Sequence, residues 1–385
     1  MKSAREIRLF RTVRIICAIV FVLFAFTYLS IHQSTLLEVV YDMTATGKLQ
    51  YDANITSAVI TVVLLLLTLW INKFAKFNRE WEALSYLPAS ILLAFITDIN
   101  RGIYDGSSNY SRWIWIAITV ISIYCFSSWV LRRVLFMRIK DITRATNRIM
   151  WRNFLLFTII FSVTGFLTRN NEDFKHECIV YHYAKKGEFD KAKKVAARSL
   201  SASRELTAGR AYILANTGEM GELLFTYPQY YGIDGLLPGK KQTSPITADT
   251  IYNYLKAAPE NGEGTISFLA RAAATDSTAA AAKDYYLAAL LLDKRLGEFC
   301  DTLPGFYSLA DAAALPKHYK EALLLNARLG GSPVPFEDKE LETGYEQFAQ
   351  LEKEYPAPHV RRNYAQKLFG KTYWYYYIYS GQKNN

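Results

Sequence analysis

Residues Ile55–Ile71 read ITSAVITVVLLLLTLWI, with no charged side chain and a core, Val62–Leu67, of six branched aliphatic residues. Crossing about 30 Å of hydrocarbon takes about 20 mostly apolar helical residues. The stretch therefore reads as a transmembrane helix, and it decides the fold class. Working outward, four more runs share its character: Thr12–Ile31, Ala83–Ile99, Trp113–Leu131 and Trp151–Leu167. The third is short and carries Pro88. Trp70, Trp113, Trp129 and Trp151 fall at or near run ends, where interfacial aromatics belong. No small-x-small cleavage site follows the first run, so it reads as a retained span rather than a signal peptide.

The loops between these runs alternate in charge. Lys2, Arg5, Arg8, Arg11 and Arg14, then Lys73, Lys76 and Arg79, then Arg132, Arg133, Arg138, Lys140, Arg144, Arg148 and Arg152 fall on one side. The other side holds Lys48, Arg101 and Arg112 against Glu38, Asp42, Asp52, Asp98 and Asp105. Basic loops stay in the cytoplasm. The expected topology is a cytoplasmic N-terminus, five crossings within residues 1–168, and residues 169–385 outside. The basic stretch Arg132–Arg152 is a topology anchor or a site for anionic head groups.

The net charge of +10 does not point to nucleic acid. From Arg169 onward, 27 basic residues stand against 26 acidic ones, so the excess lies between the apolar runs. A nucleic-acid face needs a basic stripe on the soluble part. The expected partners are the bilayer and another envelope protein or peptide. Ionisable residues inside spans mark transport pathways, and the span centres carry none; Asp98 lies at the outer end of the third run.

The second half reads as helical, with Gly and Pro separating segments of helical length. Gly187-Glu188-Phe189 recurs as Gly218-Glu219-Met220 and Gly297-Glu298-Phe299, and a further turn falls at Gly330-Gly331. Gaps of 31 and 33 residues, and one of 79, lie near one and two steps of a 34-residue helix-pair repeat. In each, Gly ends one helix and Glu opens the next. The expected fold is therefore all-α: five transmembrane helices, then a TPR-like α-solenoid. Tyr227–Asp249 reads as a long ordered loop, and Phe268–Leu292 as an Ala-rich helical stretch. The aromatic end, Tyr373–Tyr379, is the core of a capping helix, a surface against the outer leaflet, or a partner-binding face.

Motifs that carry chemistry are absent: no HExxH, CxxC, GxSxG or Gly-rich phosphate loop occurs. His176, His182, His318 and His359 read as surface or hydrogen-bonded core residues, and no metal or cofactor is expected. Glu38 and Asp42 are four apart and share a helix face; they are the candidate acids if the chain is a membrane enzyme or export component working on a lipid-linked or cell-surface substrate. Cys178 and Cys300 fall on the oxidising side of this topology, where a disulfide is permitted.

The stretches Ala215–Phe225 (ANTGEMGELLF), Leu315–Leu325 (LPKHYKEALLL) and Phe369–Tyr377 (FGKTYWYYY) resemble an uncharacterised family of Bacteroidota membrane proteins. The resemblance covers Lys175–Ser380. It implies an N-terminal multi-pass region, a TPR-like C-terminal region, a Gram-negative inner membrane and a periplasmic domain, and it implies no catalytic residue. The expected function is an interaction scaffold or a subunit of an envelope complex.

Overall fold

The computed structural model describes residues 4–44, 51–75, 79–102, 110–134, 142–168, 172–197, 199, 202–239, 244–274, 279–309, 314–333 and 336–380. Lys2, Lys48, Lys76, Asp105, Arg138 and Lys140, used above in the charge alternation, lie outside them. The chain divides into two compact units, Met1–Asn171 and Glu172–Asn385. The described residues are helical, with no strand among them.

In the first unit, α1 (Ala4–Thr27) continues through one π turn (Tyr28–His32). It is followed by α2 (Ser34–Thr44), α3 (Ala53–Ala75), a 3₁₀ segment (Arg79–Tyr86) leading into α4 (Leu87–Thr97), α5 (Tyr110–Val134) and α6 (Ile142–Leu167). Three stretches are long and apolar enough to cross a membrane: Arg8–His32, Ala53–Lys73 and Thr146–Leu167. Trp81–Thr97 is apolar but shorter, and the apolar stretch Arg112–Phe126 lies within the 25-residue helix α5. For the third run the reason is local. Pro88 sits in the first turn of α4, and Trp81 (φ −117°, ψ 41°) kinks the segment before it, so the α-helix starts late.

Side-chain bonds fix the direction of these helices. Arg14 of α1, Asn72 of α3, Glu82 and Asn153 of α6 meet at one end of the unit. Tyr28, Thr97, Thr168, Asp98 and Arg112 meet at the other. Helices α1, α4 and α6 therefore run one way, and α3 and α5 the other. Between the ends the buried side chains are apolar or hydroxyl-bearing: Phe21, Ala25, Leu64, Ala89, Leu93 and Phe157, with Thr61 and Ser90.

The second unit comprises α7 (Glu172–Lys185), α8 (Phe189–Lys194), α9 (Arg204–Thr217), α10 (Met220–Leu223), α11 (Ala248–Leu255), α12 (Thr265–Ala273), α13 (Ala279–Leu292), α14 (Leu296–Thr302), α15 (Lys317–Arg328), α16 (Lys339–Glu354), α17 (Pro358–Phe369) and α18 (Tyr373–Tyr379). The Ala-rich stretch is thus two helices, α12 and α13. Helix α13 is the centre: Tyr285 and Leu287–Leu292 are buried on every side, against α9, α10, α11, α12 and α14. A helix apolar all round belongs in a core. The stretch after Tyr227 makes one 3₁₀ turn (Gly232–Gly235) and sends Leu236, Leu237 and Ile246 into that core.

The turns recur, but not where Gly alone would put them. Gly187 (φ 71°), Gly218 (φ 68°), Lys256 (φ 51°), Lys294 (φ 59°) and Gly330 (φ 93°) are left-handed. At each, the next N–H reaches a carbonyl five residues back: Glu188 to Tyr183, Glu219 to Leu214, Ala257 to Tyr252, Arg295 to Leu290 and Gly331 to Asn326. This is the Schellman closure of a helix end. The steps between these turns are 31, 38, 38 and 36 residues. Gly297 is not a turn: it lies in the first turn of α14, and Lys294 takes the left-handed position.

The packing does not follow the nearest-neighbour stacking of a solenoid. Helix α10 lies on α15, and α15 on α18. Glu222 accepts from the Lys317 amide (2.7 Å). The Phe225 ring meets His318, Tyr373 and Tyr376 at 5.2, 5.0 and 5.0 Å. Gly221 is required at this crossing, since a Cβ there would lie 2.6 Å from the Tyr319 ring and 2.8 Å from Pro316. The aromatic end is core: Tyr373, Trp374, Tyr376 and Tyr379 are buried.

Candidate functional site

Glu38 and Asp42 lie on α2, half-buried, while Leu36 and Val39 turn the other face of that helix into the unit. Glu38 is near Tyr51, whose hydroxyl is pushed up to about 12, first by burial and then by the Glu38 and Asp52 charges. Among the described residues there is no group of three or more potential metal ligands.

Cys178 and Cys300 are not bridged. Cys178 is buried on α7, which packs with α8 and α9; Cys300 is half-buried on α14, which packs with α13 and α15. Different helix groups hold the two sulfurs. Burial pushes the Cys300 thiol up to about 11, so it is a poor nucleophile at neutral pH.

The first unit carries two charged clusters, one at each end. At the first, Glu82 is 4% exposed. Its Oε1 accepts from Arg14 Nε (2.8 Å) and Asn72 Nδ2 (3.3 Å), so one carboxylate ties α1 and α3 to the entrance of α4. Asn153 Oδ1 accepts from the Ala83 amide (2.8 Å) and adds α6. The Arg152 guanidinium lies over the Trp81 ring at 4.3 Å. At the second, Asp98 Oδ2 accepts from Trp113 Nε1 (2.7 Å) and Arg112 Nη1 (3.3 Å), while Arg112 Nη2 donates to the Leu167 carbonyl (2.9 Å). Tyr28, Thr97 and Thr168 hydroxyls bond one another beside it. From Arg14 to Tyr28 the helix rises about 21 Å, which sets the depth between clusters.

Glu82 escaped the reading of the sequence because it sits one residue before the third apolar run. The signal available was its company: Asn72, Asn153 and Arg14 each stand at the corresponding end of another run. What the two clusters do chemically is fix helices at set depths, since a buried carboxylate persists only when paired.

Several polar arrangements are buried in the second unit. His318 Nδ1 and Glu321 Oε2 lie 2.9 Å apart, both fully buried, and the same oxygen accepts from the Tyr373 amide (2.7 Å), tying α15 to the start of α18. Asp284 accepts from the Tyr307 hydroxyl (2.8 Å), and burial raises its carboxyl above the usual range. Arg210 donates to the Val195 and Ala196 carbonyls and lies over the Tyr227 ring at 4.8 Å. On the outside, Tyr355 and Tyr364 stack at 4.2 Å, with Leu368 one turn further along α17. Tyr230, Tyr231, Tyr364, Leu368 and Ile378 are large and exposed.

The model of a family of unknown function, DUF6057, matches residues 7–258 and 260–380, and the chain belongs to that family. The match runs through both units. No curated protein and no solved structure matches the chain.

Proposed function

We propose that this chain is an integral inner-membrane protein of a bacterium that crosses the bilayer five times and presents its C-terminal helical domain in the periplasm, where that domain binds another envelope protein or peptide. The observation that carries the reading is the exposed aromatic surface of the helical domain. Tyr364 stacked on Tyr355, Leu368 beside it, and Ile378 are exposed. Tyrosine anchors of this kind dominate binding energy at protein interfaces. The alternating directions of α1, α3, α4, α5 and α6 support five crossings, with the shorter α4 made up by the 3₁₀ segment before it. The basic N-terminus and the basic stretch from Arg132 support a cytoplasmic N-terminus.

The test is crosslinking in living cells, then purification through a C-terminal tag and mass spectrometry. The expected result is one envelope protein at near-equal amount, lost on Tyr364→Ala with Leu368→Ser. Recovery of the chain alone, or of the same partner from that double variant, overturns the reading. A second reading, a membrane enzyme or export component, draws support from α2. That helix packs on the π turn whose Tyr28 bonds Thr168, so Glu38 and Asp42 lie toward the end that holds Asp98 and Arg112. Full rescue of a deletion phenotype by Glu38→Ala with Asp42→Ala ends that second reading.

A further inference from the structure

A groove of about 490 Å³ runs between α4 and α5. Pro88, Leu92 and Phe95 line it from α4, and Ala117, Ile121 and Tyr124 from α5. Trp113 pins one end: its ring stands edge-on to Phe95 at 5.4 Å, and its Nε1 bonds Asp98. From Trp113 to Tyr124 the helix rises about 16 Å, about half of the 30 Å hydrocarbon core and so the depth of one leaflet. The walls are almost wholly apolar, and water needs polar partners to stay in such a space. Apolar walls gain dispersion only from atoms that touch them. Hydrocarbon is the filler that a membrane supplies.

Charge selects the head group. Arg112 keeps 24% of its side chain exposed at this end, while Asp98 keeps 2%, so the open member of the pair is the cation. Two of the five guanidinium N–H donors go to Asp98 and the Leu167 carbonyl, leaving three for an anion. We propose that one phospholipid acyl chain occupies the α4–α5 groove, with the lipid phosphate beside Arg112, in the leaflet at the Asp98 end. The lipid then wedges α5, whose large residues Ile114, Ile118 and Ile121 are exposed, against the rest of the unit.

The experiment uses the full chain in mild detergent with a phosphatidylglycerol carrying a diazirine midway along one acyl chain, read by peptide mass spectrometry. Labelling is expected within Leu87–Thr97 and Arg112–Phe126 at about tenfold over the exposed face of α3 at Val59, Val62 and Val63, a difference of 1.4 kcal/mol. Ala117→Trp fills the groove and removes the excess; Ile118→Trp, which lies outside the groove lining, leaves it. Even labelling of α3 and α5 in the unaltered chain overturns the proposal without reference to any variant. A diacylglycerol of the same chains, lacking phosphate, is expected to label less, and equal labelling by both overturns the pairing with Arg112.

Discussion

Gly221→Ala tests whether α10 and α15 are in contact. The added Cβ would lie 2.6 Å from Tyr319 Cζ, 2.9 Å from Cε2 and 2.8 Å from Pro316 Cβ, where ordinary contact begins at 3.4 Å. Something must move by about 0.8 Å. Tyr319 is fully buried between the Phe299 and Tyr307 rings, at 5.4 and 5.5 Å, and has no free direction. Overpacking of this kind costs about 1–3 kcal/mol, and replacing a helical Gly by Ala returns up to about 1 kcal/mol. The net is about 1–2 kcal/mol of lost stability, or about 2–8 °C for a unit of this size. The assay is alkylation of buried Cys178 in the full chain along a temperature ramp, resolved by peptide mass spectrometry. Tyr319→Leu makes room, so a double-mutant cycle should show coupling of about 1 kcal/mol. An unchanged or raised midpoint in Gly221→Ala, with no coupling to position 319, refutes the reasoning: the two helices would then stand apart as in an open solenoid.

The same assay separates two other glycines. Gly218→Ala forces an alanine into a left-handed conformation and should cost about 1–2 kcal/mol, whereas Gly297→Ala, inside α14 with open space around it, should gain about 0.5–1 kcal/mol. Glu82→Ala should destabilise the first unit in detergent by about 1–2 kcal/mol, read from its melting curve, because a charge-assisted bond is lost but the half-exposed Arg14 regains water; Glu82→Gln should lose less. The Asp284 carboxyl is raised in the folded state, so its favourable contribution is complete below the unfolded carboxyl range and is lost as pH rises through the folded value. Asp284→Asn should therefore flatten the stability loss between acidic and neutral pH, checked by melting curves across that window. Denaturing alkylation without reductant should modify both Cys178 and Cys300, which a mass shift counts directly.

Sequence periodicity and charge made the division into apolar and balanced halves legible, because hydrocarbon solvent imposes a length and a composition that few other environments do. The left-handed turns at Gly187, Gly218 and Gly330 were legible for the same kind of reason: a positive φ favours glycine. Lys256 and Lys294 were not, since a lysine in that conformation carries no mark in the sequence and is held there by the helix-end bonds around it. Gly297 misled by standing three residues from the true turn. The closure of α10 on α15 joins residues about 95 apart, and no local pattern encodes such a partner. Glu82 lay at the edge of a hydropathy window, where a charge reads as loop until its partners are placed.

The seat of Phe225 against Tyr373 and Tyr376 has a consequence for how the domain is made. About 150 residues follow Phe225 before these rings exist, and at about 5–20 residues per second the ribosome takes roughly 7–30 s to supply them. Until then Met220, Leu224 and Phe225 have no cover on that side. The first quarter of the domain waits with apolar surface open to water, a client for any holdase at hand. Helix α18 is then the latch, so a stop codon at Tyr373 should be as damaging as one placed in the middle of the domain.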